Sequence, residues 1–358
     1  MGAETYASPT DRPARPVPDL GELTPLVDFA RRAPSAHNSQ PRRFRVAKGG
    51  VDLLWDPARE LPHGDPLGWY LLIGLGAAAE SSALGAASNG NRARVSFALD
   101  RAAARAARVE VVVGTPSADD RWLAAAVPKR QTTRLPLRGE QIADGTLGDM
   151  ALEAQRRGCH LIVRTDLASR RKFAELVTEG TARNFARKAV YEEFFSLLRL
   201  RPSHPEHDRD GLTADALALG RVQRTLGPLF LRPPSMRVLV RTSLHHIVAR
   251  TQYRLVCHCA AVGLLAASSE SSVDLFSGGR GLLRVWLAAT AAERVHPMTA
   301  PMDDPETRVA LAHLFGVPED ASVVACLRLG FGPPGPRSPR LPLEELFLDG
   351  RIRTARGE

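Results

Sequence analysis

Lysine, cysteine and aromatic residues are all scarce in this sequence of 358 residues. Only four of its 48 basic residues are lysines, and aromatic side chains make up 6% of the chain. Its four cysteines form no C-x-x-C pair, so no disulfide scaffold is expected, and reduced thiols indicate a cytoplasmic protein. With 44% hydrophobic and 24% charged residues, the composition excludes disordered and fibrous classes.

The sequence also has no apolar run of the roughly 20 residues that a membrane-spanning helix needs. One of its two longest apolar runs covers residues 67–79 and is followed by Glu80. The other covers residues 255–267 and contains His258. Both predict buried helices. The first 20 residues carry no apolar signal core and contain four prolines, which predicts an extended arm. Such an arm is able to embrace a second chain, so a homodimer stays open.

Acidic residues are outnumbered by basic ones, and the formal net charge is +9 at pH 7. A basic chain can bind an acidic partner. The excess is almost entirely arginine and accompanies abundant alanine, a combination typical of genome-wide coding bias. We therefore expect neither nucleic acid nor a membrane as a partner, and a nucleic-acid-binding protein stays as a weaker alternative.

Hydrophobic periodicity predicts alternating helices and strands in two successive units. In the first unit, helices are predicted at 20–32 and 66–87, with strands at 43–46, 51–55, 94–98 and 109–113. In the second unit, helices are predicted at 140–157, 167–198, 243–268, 280–292 and 305–315, with strands at 159–163, 237–241 and 323–329. Residues 201–235 contain five prolines and predict a lid-like excursion. The expected fold class is α+β, a mixed sheet covered by helices.

Two short motifs suggest chemistry that their context does not support. Residues 74–79 match the pattern G-x-G-x-x-A, but they lie inside a helical pattern, without the strand before them that a dinucleotide site needs. Close helix packing is the better interpretation. Cys257 and Cys259 flank His258, but no second pair of ligands stands nearby, so no metal site is expected.

A polar loop, residues 34–41, lies between a predicted helix and a predicted strand. Its sequence is Pro-Ser-Ala-His-Asn-Ser-Gln-Pro, and Pro34 ends the preceding helix. So many short polar groups suit a heteroaromatic ring that carries several hydrogen-bond donors and acceptors. An ordinary cap and turn would need no ligand, and composition alone leaves both interpretations open.

Two basic segments are candidates for binding phosphate. Arg130 and Arg134 flank Thr132, and guanidinium groups bind phosphate in bidentate geometry. Arg337 and Arg340 lie in a proline-rich tail, and the prolines restrict the positions of both cations. The alternative for both segments is a solvated basic surface.

Together these segments resemble the flavin-binding nitroreductase superfamily. Loop 34–41 is similar to that family's P-S-x-x-N-x-Q-P-W segment, and residues 130–134 are similar to its R-x-S-x-R/K segment. Arg337 and Arg340 are similar to the basic pair near its C-terminus, and residues 284–300 to its last long helix and the turn beside flavin N5. The loop precedes the basic run, the reverse of the usual order. This order resembles the Acg-type branch, in which two units are fused into one chain as a pseudo-dimer.

The resemblance implies an FMN-dependent oxidoreductase that transfers hydride equivalents to or from a small organic substrate, and it allows NAD(P)H as the reductant. After the arm over 1–20 that the prolines predict, the resemblance implies two related halves, 21–127 and 128–358, with FMN in the cleft between them. It assigns the phosphate and ribityl groups to Arg130, Thr132, Arg134, Arg337 and Arg340. It assigns the isoalloxazine to Pro34, Ser35, His37, Asn38 and Gln40, and the surroundings of N5 to Pro297, Met298, Thr299 and Ala300.

Three residues depart from the family pattern. Arg42 replaces the usual Trp, and Thr299 and Ala300 stand where Glu and Gly are frequent. In the family, the backbone of this turn forms a hydrogen bond to flavin N5, and that bond supports the reduction chemistry. Because the turn is changed here, the alternative function is a non-catalytic protein that sequesters flavin. No side chain is clearly a catalytic acid or base. His37 and His296 are the first candidates because an imidazole titrates near neutrality, although a structural hydrogen bond is the favoured interpretation for both.

Overall fold

The computed structural model describes residues 20–292, 298–299 and 304–348. Helices and strands together form an α+β fold. The helices are α1 (Leu20–Arg31), α2 (Trp69–Ser88), α3 (Ala118–Ala126), α4 (Asp144–Gln155), α5 (Leu167–Ala186), α6 (Lys188–Ser196), α7 (Arg221–Phe230), α8 (Pro233–Arg241), α9 (His245–Cys257), α10 (Ser272–Ala292) and α11 (Pro305–Phe315). The strands are β1 (Arg42–Ala47), β2 (Gly50–Trp55), β3 (Arg92–Asp100), β4 (Arg105–Val112), β5 (Cys159–Arg164), β6 (Leu198–Arg199), β7 (Leu212–Thr213), β8 (Ala261–Ala267), β9 (Met298–Thr299) and β10 (Ser322–Leu329).

The first four strands form one antiparallel sheet with the order β1-β2-β4-β3. Strands β1 and β2 make the hairpin that the sequence predicts, with Arg42 opposite Trp55 and Ala47 opposite Gly50. Gly49, in the turn, has a φ of +79°, a conformation that favours glycine. Helix α2 packs against β2, β3 and β4, and α1 packs against α2 in turn.

A second antiparallel sheet has the order β5-β8-β10-β9. Every residue of β8 and β10 is buried, as expected for strands with both faces covered. The C-terminal tail then returns to the first sheet, where Phe347 forms a parallel bridge with Phe44 of β1. The amide of Leu348 donates to the carbonyl of Phe44 at 2.9 Å. The tail therefore adds a parallel pairing to the edge of an otherwise antiparallel sheet.

Helices α2 and α10 make the closest helix contact in the core. Gly76 lies against the carbonyl of Phe276, and Gly279 lies against the carbonyl of Ile73, so closely that a Cβ atom at either glycine would overlap backbone atoms. The glycine pattern at 74–79 therefore serves close helix packing, as the sequence predicts. Among the described helices, α2 is long and apolar enough to cross a bilayer by length and composition alone, but 83% of its most apolar window is buried in the protein.

Three elements of the second half differ from the sequence-based prediction. Residues 237–241, predicted as a strand, belong to helix α8, which begins at Pro233, a residue favoured in the first helical turn. The predicted helix 243–268 divides into α9 and the strand β8, because a strand buried on both faces has the continuous apolar pattern of a buried helix. The predicted helix 167–198 is interrupted at Arg187, whose backbone is extended.

Candidate functional site

The polar loop 34–41 connects α1 to β1 in an unusual backbone conformation. His37, Asn38 and Gln40 have φ values of 47°, 58° and 52°, a region that costs free energy for residues other than glycine. Three such residues within four positions concentrate backbone strain in one loop. Strain of this kind is typical of binding and catalytic loops.

Asn38 joins this loop to two distant parts of the chain. Its Nδ2 donates to the carbonyls of Gly211 at 3.0 Å and Pro339 at 3.1 Å. Its Oδ1 accepts a hydrogen bond of 2.6 Å from Nη1 of Arg340. Both donor hydrogens of the amide are therefore engaged within the protein, and the side chain predicted to face a ring holds the excursion and the tail in place.

Gln40 makes a second connection of the same kind. Its Nε2 donates to the carbonyl of Arg209 at 2.9 Å, and its Oε1 accepts from the amide of Leu341 at 3.0 Å. Within the loop, the Gln40 amide donates to Oγ of Ser35 at 3.1 Å. The side chain is fully buried, so it acts as a structural connector between the loop, the excursion and the tail.

Three arginines, Arg42, Arg130 and Arg340, meet at the C-terminal end of α1, and we call them the arginine cluster. Nη2 of Arg42 donates to the carbonyl of Arg31 at 2.6 Å, and Nη2 of Arg130 donates to the carbonyl of Arg32 at 2.8 Å. Nη2 of Arg340 lies 3.5 Å from the same Arg32 carbonyl. Carbonyls at a helix C-terminus carry only about half an elementary negative charge together, which is far less than three guanidinium groups carry.

The arginine cluster has more hydrogen-bond donors than its described surroundings satisfy. Nη1 of Arg130 and Nε of Arg42 are buried without a partner. Within residues 20–292 and 304–348, no ion pair joins a cluster arginine to a carboxylate, although the adjacent Arg31 and Arg32 both pair with Asp28. A buried guanidinium without an opposite charge is costly. A site built in this way is complementary to an anion.

The pKa values of the cluster reflect the same imbalance of charge. Burial lowers the pKa of Arg130 to about 10. Burial and repulsion from its arginine neighbours lower the pKa of Arg340 to about 9. The pKa of Arg42 falls well below its ordinary value for the same two reasons. An anion bound among these groups would raise all three pKa values, so charge favours its binding.

The other residues predicted to bind phosphate are placed differently. Nη1 of Arg134 donates to the carbonyl of Ala216 in the excursion at 2.8 Å, and burial lowers its pKa to about 10. The backbone of Thr132 lies against Gly335 of the tail. Arg337 is exposed, and no hydrogen bond or ion pair within the described residues joins it to the cluster. The structure therefore brings Arg130 and Arg340 together and leaves Arg337 at the surface.

His37 does not have the environment of an acid or base that works near neutral pH. Its ring lies edge-on to Phe194 of α6, with centroids 5.0 Å apart. Burial and the nearby Arg134 lower the pKa of His37 to about 4, so the imidazole is neutral at pH 7. Pro34, at the start of the loop, has its carbonyl against Gly74 of α2.

The predicted turn beside N5 falls largely outside the described residues. Pro297 and Ala300 lie outside them, as does His296. The backbone of Met298 and Thr299 forms β9, opposite the end of β10. The assignment of this turn to flavin N5 stays a prediction.

Sequence reasoning missed the importance of Arg42 and of Asp210. The sequence marks Arg42 only as a departure from a family pattern, yet its side chain is 1% exposed and belongs to the cluster. The signal is that Arg42 stands two residues before Phe44 of the predicted strand 43–46, and in β1, which begins at Arg42, both side chains share one face. Asp210 binds Arg199 at 2.9 Å and Arg59 at 2.7 Å, and no pattern in the sequence relates these three residues.

Sequence comparison gives a partial likeness to named proteins. No protein-family profile matches this chain. Two curated proteins of Mycobacterium tuberculosis, from strains CDC 1551 / Oshkosh and ATCC 25618 / H37Rv, are each provisionally named an NAD(P)H nitroreductase and are 33% identical to this chain over 145 residues. The aligned part covers 40% of this chain and 42% of each relative. The chain therefore matches less than half the length of these relatives.

Solved structures give only loose likenesses. An iodotyrosine deiodinase bound to FMN and 3-iodo-L-tyrosine is 12% identical, with a TM-score of 0.35 over 62% of this chain and 95% of its own. The FMN-dependent nitroreductase NfnB of Mycobacterium smegmatis, in complex with NADPH, is 14% identical, with a TM-score of 0.39 over 63% and 96%. A BluB-like flavoprotein of Clostridium difficile 630 is 13% identical, with a TM-score of 0.40 over 63% of this chain and 96% of its own. These values do not define a family or a ligand for this chain.

Proposed function

We propose that this protein is an FMN-dependent oxidoreductase of the nitroreductase type, which transfers hydride equivalents to or from a small organic substrate. The observation that carries the proposal is the arginine cluster, which has unpartnered buried donors and, in the described part of the chain, no ion pair with a carboxylate. The phosphate of FMN is an oxygen-rich anion of the kind that such donors bind. The partial likeness to two proteins named NAD(P)H nitroreductases supports a redox role.

In this proposal the chain's own residues bind and orient the flavin. Arg42, Arg130 and Arg340 bind the phosphate, and Thr132 and Arg134 contact the ribityl group. Loop 34–41 borders the isoalloxazine through its backbone and through Pro34, Ser35 and His37, because Asn38 and Gln40 already bind other parts of the protein. The resemblance assigns residues 297–300 to the surroundings of N5, and the proposal keeps this assignment. FMN supplies the hydride chemistry when bound, and NAD(P)H is the proposed reductant.

The proposal includes a fused pair of units, residues 21–127 and 128–358, after an arm over 1–20. The two four-stranded sheets support this division, because one uses strands from 42–112 and the other strands from 159–329. The arginine cluster draws on β1, on the segment between the sheets and on the tail, which supports a cofactor site between the units. A homodimer and a cytoplasmic location belong to the same proposal.

The first test is the visible absorption spectrum of the purified protein, repeated after denaturation and filtration. We expect a structured flavin band that denaturation releases into the filtrate. The same chain, if colourless, should take up added FMN with quenching of the flavin fluorescence. A colourless protein that takes up no FMN would exclude the proposal.

The variant Arg130→Met tests the cluster directly. The change keeps an unbranched, flexible side chain and removes the guanidinium group with its charge, so we expect the affinity for FMN to fall at least about tenfold in a fluorescence titration. Arg138→Met is the matched control, since Arg138 follows in the same segment but has an exposed side chain that pairs with Glu140. Equal affinities in the two variants would contradict the role of Arg130.

A flavin-sequestering protein is the second candidate function, and the excursion favours it. The carbonyl of Gly211 accepts a hydrogen bond from Asn38, and the carbonyl of Ala216 accepts one from Arg134, so the excursion lies over the proposed site. If this function is correct, dithionite will reduce the bound flavin and NADH and NADPH will not. Rapid reduction by either nucleotide, followed by turnover with any acceptor, would exclude sequestration.

A further inference from the structure

One stretch of the chain contains no acidic residue at all. Between Asp215 and Glu270 the sequence carries no Asp and no Glu, but it carries seven arginines. Six of these arginines are exposed in helices α7, α8 and α9 or beside them: Arg221, Arg224, Arg232, Arg237, Arg241 and Arg250. At the edge of this group, Arg224 pairs with Asp215. This surface is therefore strongly cationic.

The same surface exposes aliphatic side chains in a helical pattern. Val222, Leu226 and Leu229 of α7 are 71%, 41% and 46% exposed. Their spacing of four and three residues places them on one side of the helix, and we call them the apolar stripe. Val238 and Leu244 are also exposed, so five of the thirteen exposed large aliphatic side chains of the described residues lie within 222–244.

Helix α7 has the reverse of the orientation that a helix on a soluble surface normally has. Its apolar stripe faces outward. On the other side of the helix, Arg224, Thr225 and Pro228 line a cavity of about 440 Å³ together with residues between positions 200 and 215. In the fold, α7 packs against α8, which in turn packs against α5, α6 and α9. The helix is therefore peripheral, and the three side chains of its apolar stripe stay 41–71% exposed in the described part of the chain.

We propose, in contrast to the expectation from the sequence that no membrane is a partner, that helices α7 and α8 form a peripheral docking surface for a bilayer with anionic phospholipid headgroups. The apolar stripe would enter the boundary between headgroups and acyl chains, and the exposed arginines would bind the phosphates around it. An amphipathic helix with a cationic flank and an aliphatic face is typical of this mode of binding. Hydropathy does not indicate it, because the surface lies on the bilayer and does not cross it.

Charge and composition favour a bilayer over an acidic protein. Specific protein interfaces combine charges of both signs, which fix the register of the partners, and their energetic centres are rich in Trp and Tyr. Residues 221–244 contain neither Trp nor Tyr and no acidic residue. A surface of one charge sign with short aliphatic side chains matches a fluid, uniformly anionic partner instead.

The experiment is co-sedimentation of the full chain with vesicles. We expect binding to phosphatidylcholine vesicles that contain phosphatidylglycerol, weaker binding when the salt concentration rises, and little binding to pure phosphatidylcholine. Each arginine near the membrane is expected to contribute about fivefold to the partition coefficient. Absence of binding to the anionic vesicles at low salt would overturn the proposal.

Two sets of variants separate the stripe from the charge. Val222→Ser with Leu226→Ser and Leu229→Ser should weaken vesicle binding more than about tenfold. The matched control replaces three exposed aliphatic side chains elsewhere, Leu67→Ser, Val113→Ser and Val273→Ser, and should leave binding unchanged. Arg232→Gln with Arg237→Gln and Arg241→Gln should weaken binding and flatten its salt dependence, whereas Arg92→Gln with Arg94→Gln and Arg101→Gln should not.

Other occupants of the surface would give distinct results. If a second copy of the chain covers the stripe, the stripe variant will convert a dimer into a monomer in light scattering, and vesicles will not bind. If nucleic acid binds, the chain will retard short duplex DNA with a steep salt dependence, and the stripe variant will bind it as well as the native chain. Either result would overturn the proposal.

Discussion

Two buried groups of arginines lie in this molecule, and they differ in what surrounds them. Arg284 of α10 donates to Glu80 at 2.7 Å, to Asp120 at 2.9 Å and to Glu153 at 2.5 Å. We call these four residues the carboxylate network. In the arginine cluster, Arg42 and Arg130 are buried and Arg340 is half-buried. Their guanidinium groups meet backbone carbonyls, Oδ1 of Asn38 and the ring of Trp286. The network contains its own balancing charge, whereas no carboxylate among the described residues forms an ion pair with the cluster.

The pKa shifts separate the two groups in the same way. Burial alone would lower the pKa of Arg284, but Glu80 and the hydrogen bonds of the network raise it above its ordinary value. In the cluster, burial and repulsion act in the same direction and lower the pKa of Arg340 to about 9. In the network, opposite charges outweigh the effect of burial on the pKa of Arg284, whereas in the cluster a bound anion would have to supply that opposite charge.

The largest expected effect is the loss of stability when the network loses its arginine. Arg284→Met leaves Glu80 and Glu153 buried beside one fewer guanidinium, so we expect the free energy of unfolding to fall by about 3–5 kcal/mol. Urea denaturation of the apoprotein measures it. Arg94→Met, which breaks the exposed pair with Glu110, should cost less than about 1 kcal/mol. Similar costs for the two variants would remove the distinction between a buried network and a surface pair.

A pH titration of stability addresses the same network without removing a group from the native chain. Burial alone would raise the pKa of Glu80, but Arg280, Arg157 and Arg284 lower it below its usual range. A carboxyl whose folded pKa lies below its unfolded value of about 4.3 stabilises the fold above that value and loses this contribution as the pH falls. We expect the free energy of unfolding to fall by up to about 3 kcal/mol below pH 5. In Glu80→Gln the acid slope should be shallower, and equal slopes would show that Glu80 is not the titrating group.

Local patterns predicted most of the fold, and they failed where tertiary burial overrides them. The hairpin at Gly49 and the packing role of Gly76 follow from turn chemistry and residue size, which act locally. The strand β8 was predicted as part of a helix because its seven residues are buried on both faces and show no alternation of apolar and polar residues. Residues 237–241 of helix α8 were predicted as a strand because Val238 and Val240 favour strands. The prolines at the start of the helix and its packing on α6 favour the helix instead.

The candidate site was predictable in its residue types and less so in their partners. Loop 34–41 and Arg130 stand out in the sequence as polar and cationic groups near predicted strands. That Asn38 and Gln40 bind the excursion and the tail depends on contacts about 170 and 300 residues away, which no local pattern reports. The place of Arg42 in the cluster is equally hard to predict from local sequence, because Arg340 reaches the cluster only through the returning tail.

Replacing an arginine of the cluster by methionine should change the free energy of unfolding in the opposite direction from Arg284→Met. Arg42→Met removes a buried charge that repels Arg130 and Arg340, and it removes an unpartnered Nε atom. It also loses one hydrogen bond to the carbonyl of Arg31. We expect the apoprotein to gain about 1 kcal/mol in the free energy of unfolding, while its affinity for FMN falls. Thermal denaturation with and without FMN measures both, and a loss of stability near that of Arg284→Met would make Arg42 a structural residue.

The smallest expected effect distinguishes two arginines that the sequence presents as a pair. Arg340 binds Asn38 and belongs to the cluster, whereas Arg337 is exposed. Arg337→Ala should change the free energy of unfolding by less than about 0.5 kcal/mol and the affinity for FMN by less than about twofold, because solvent screens an exposed charge. Arg340→Ala should weaken FMN binding at least about tenfold. Equal losses in the two variants would mean that the tail moves on binding and brings Arg337 to the phosphate, so that the cluster would contain four arginines in its bound form.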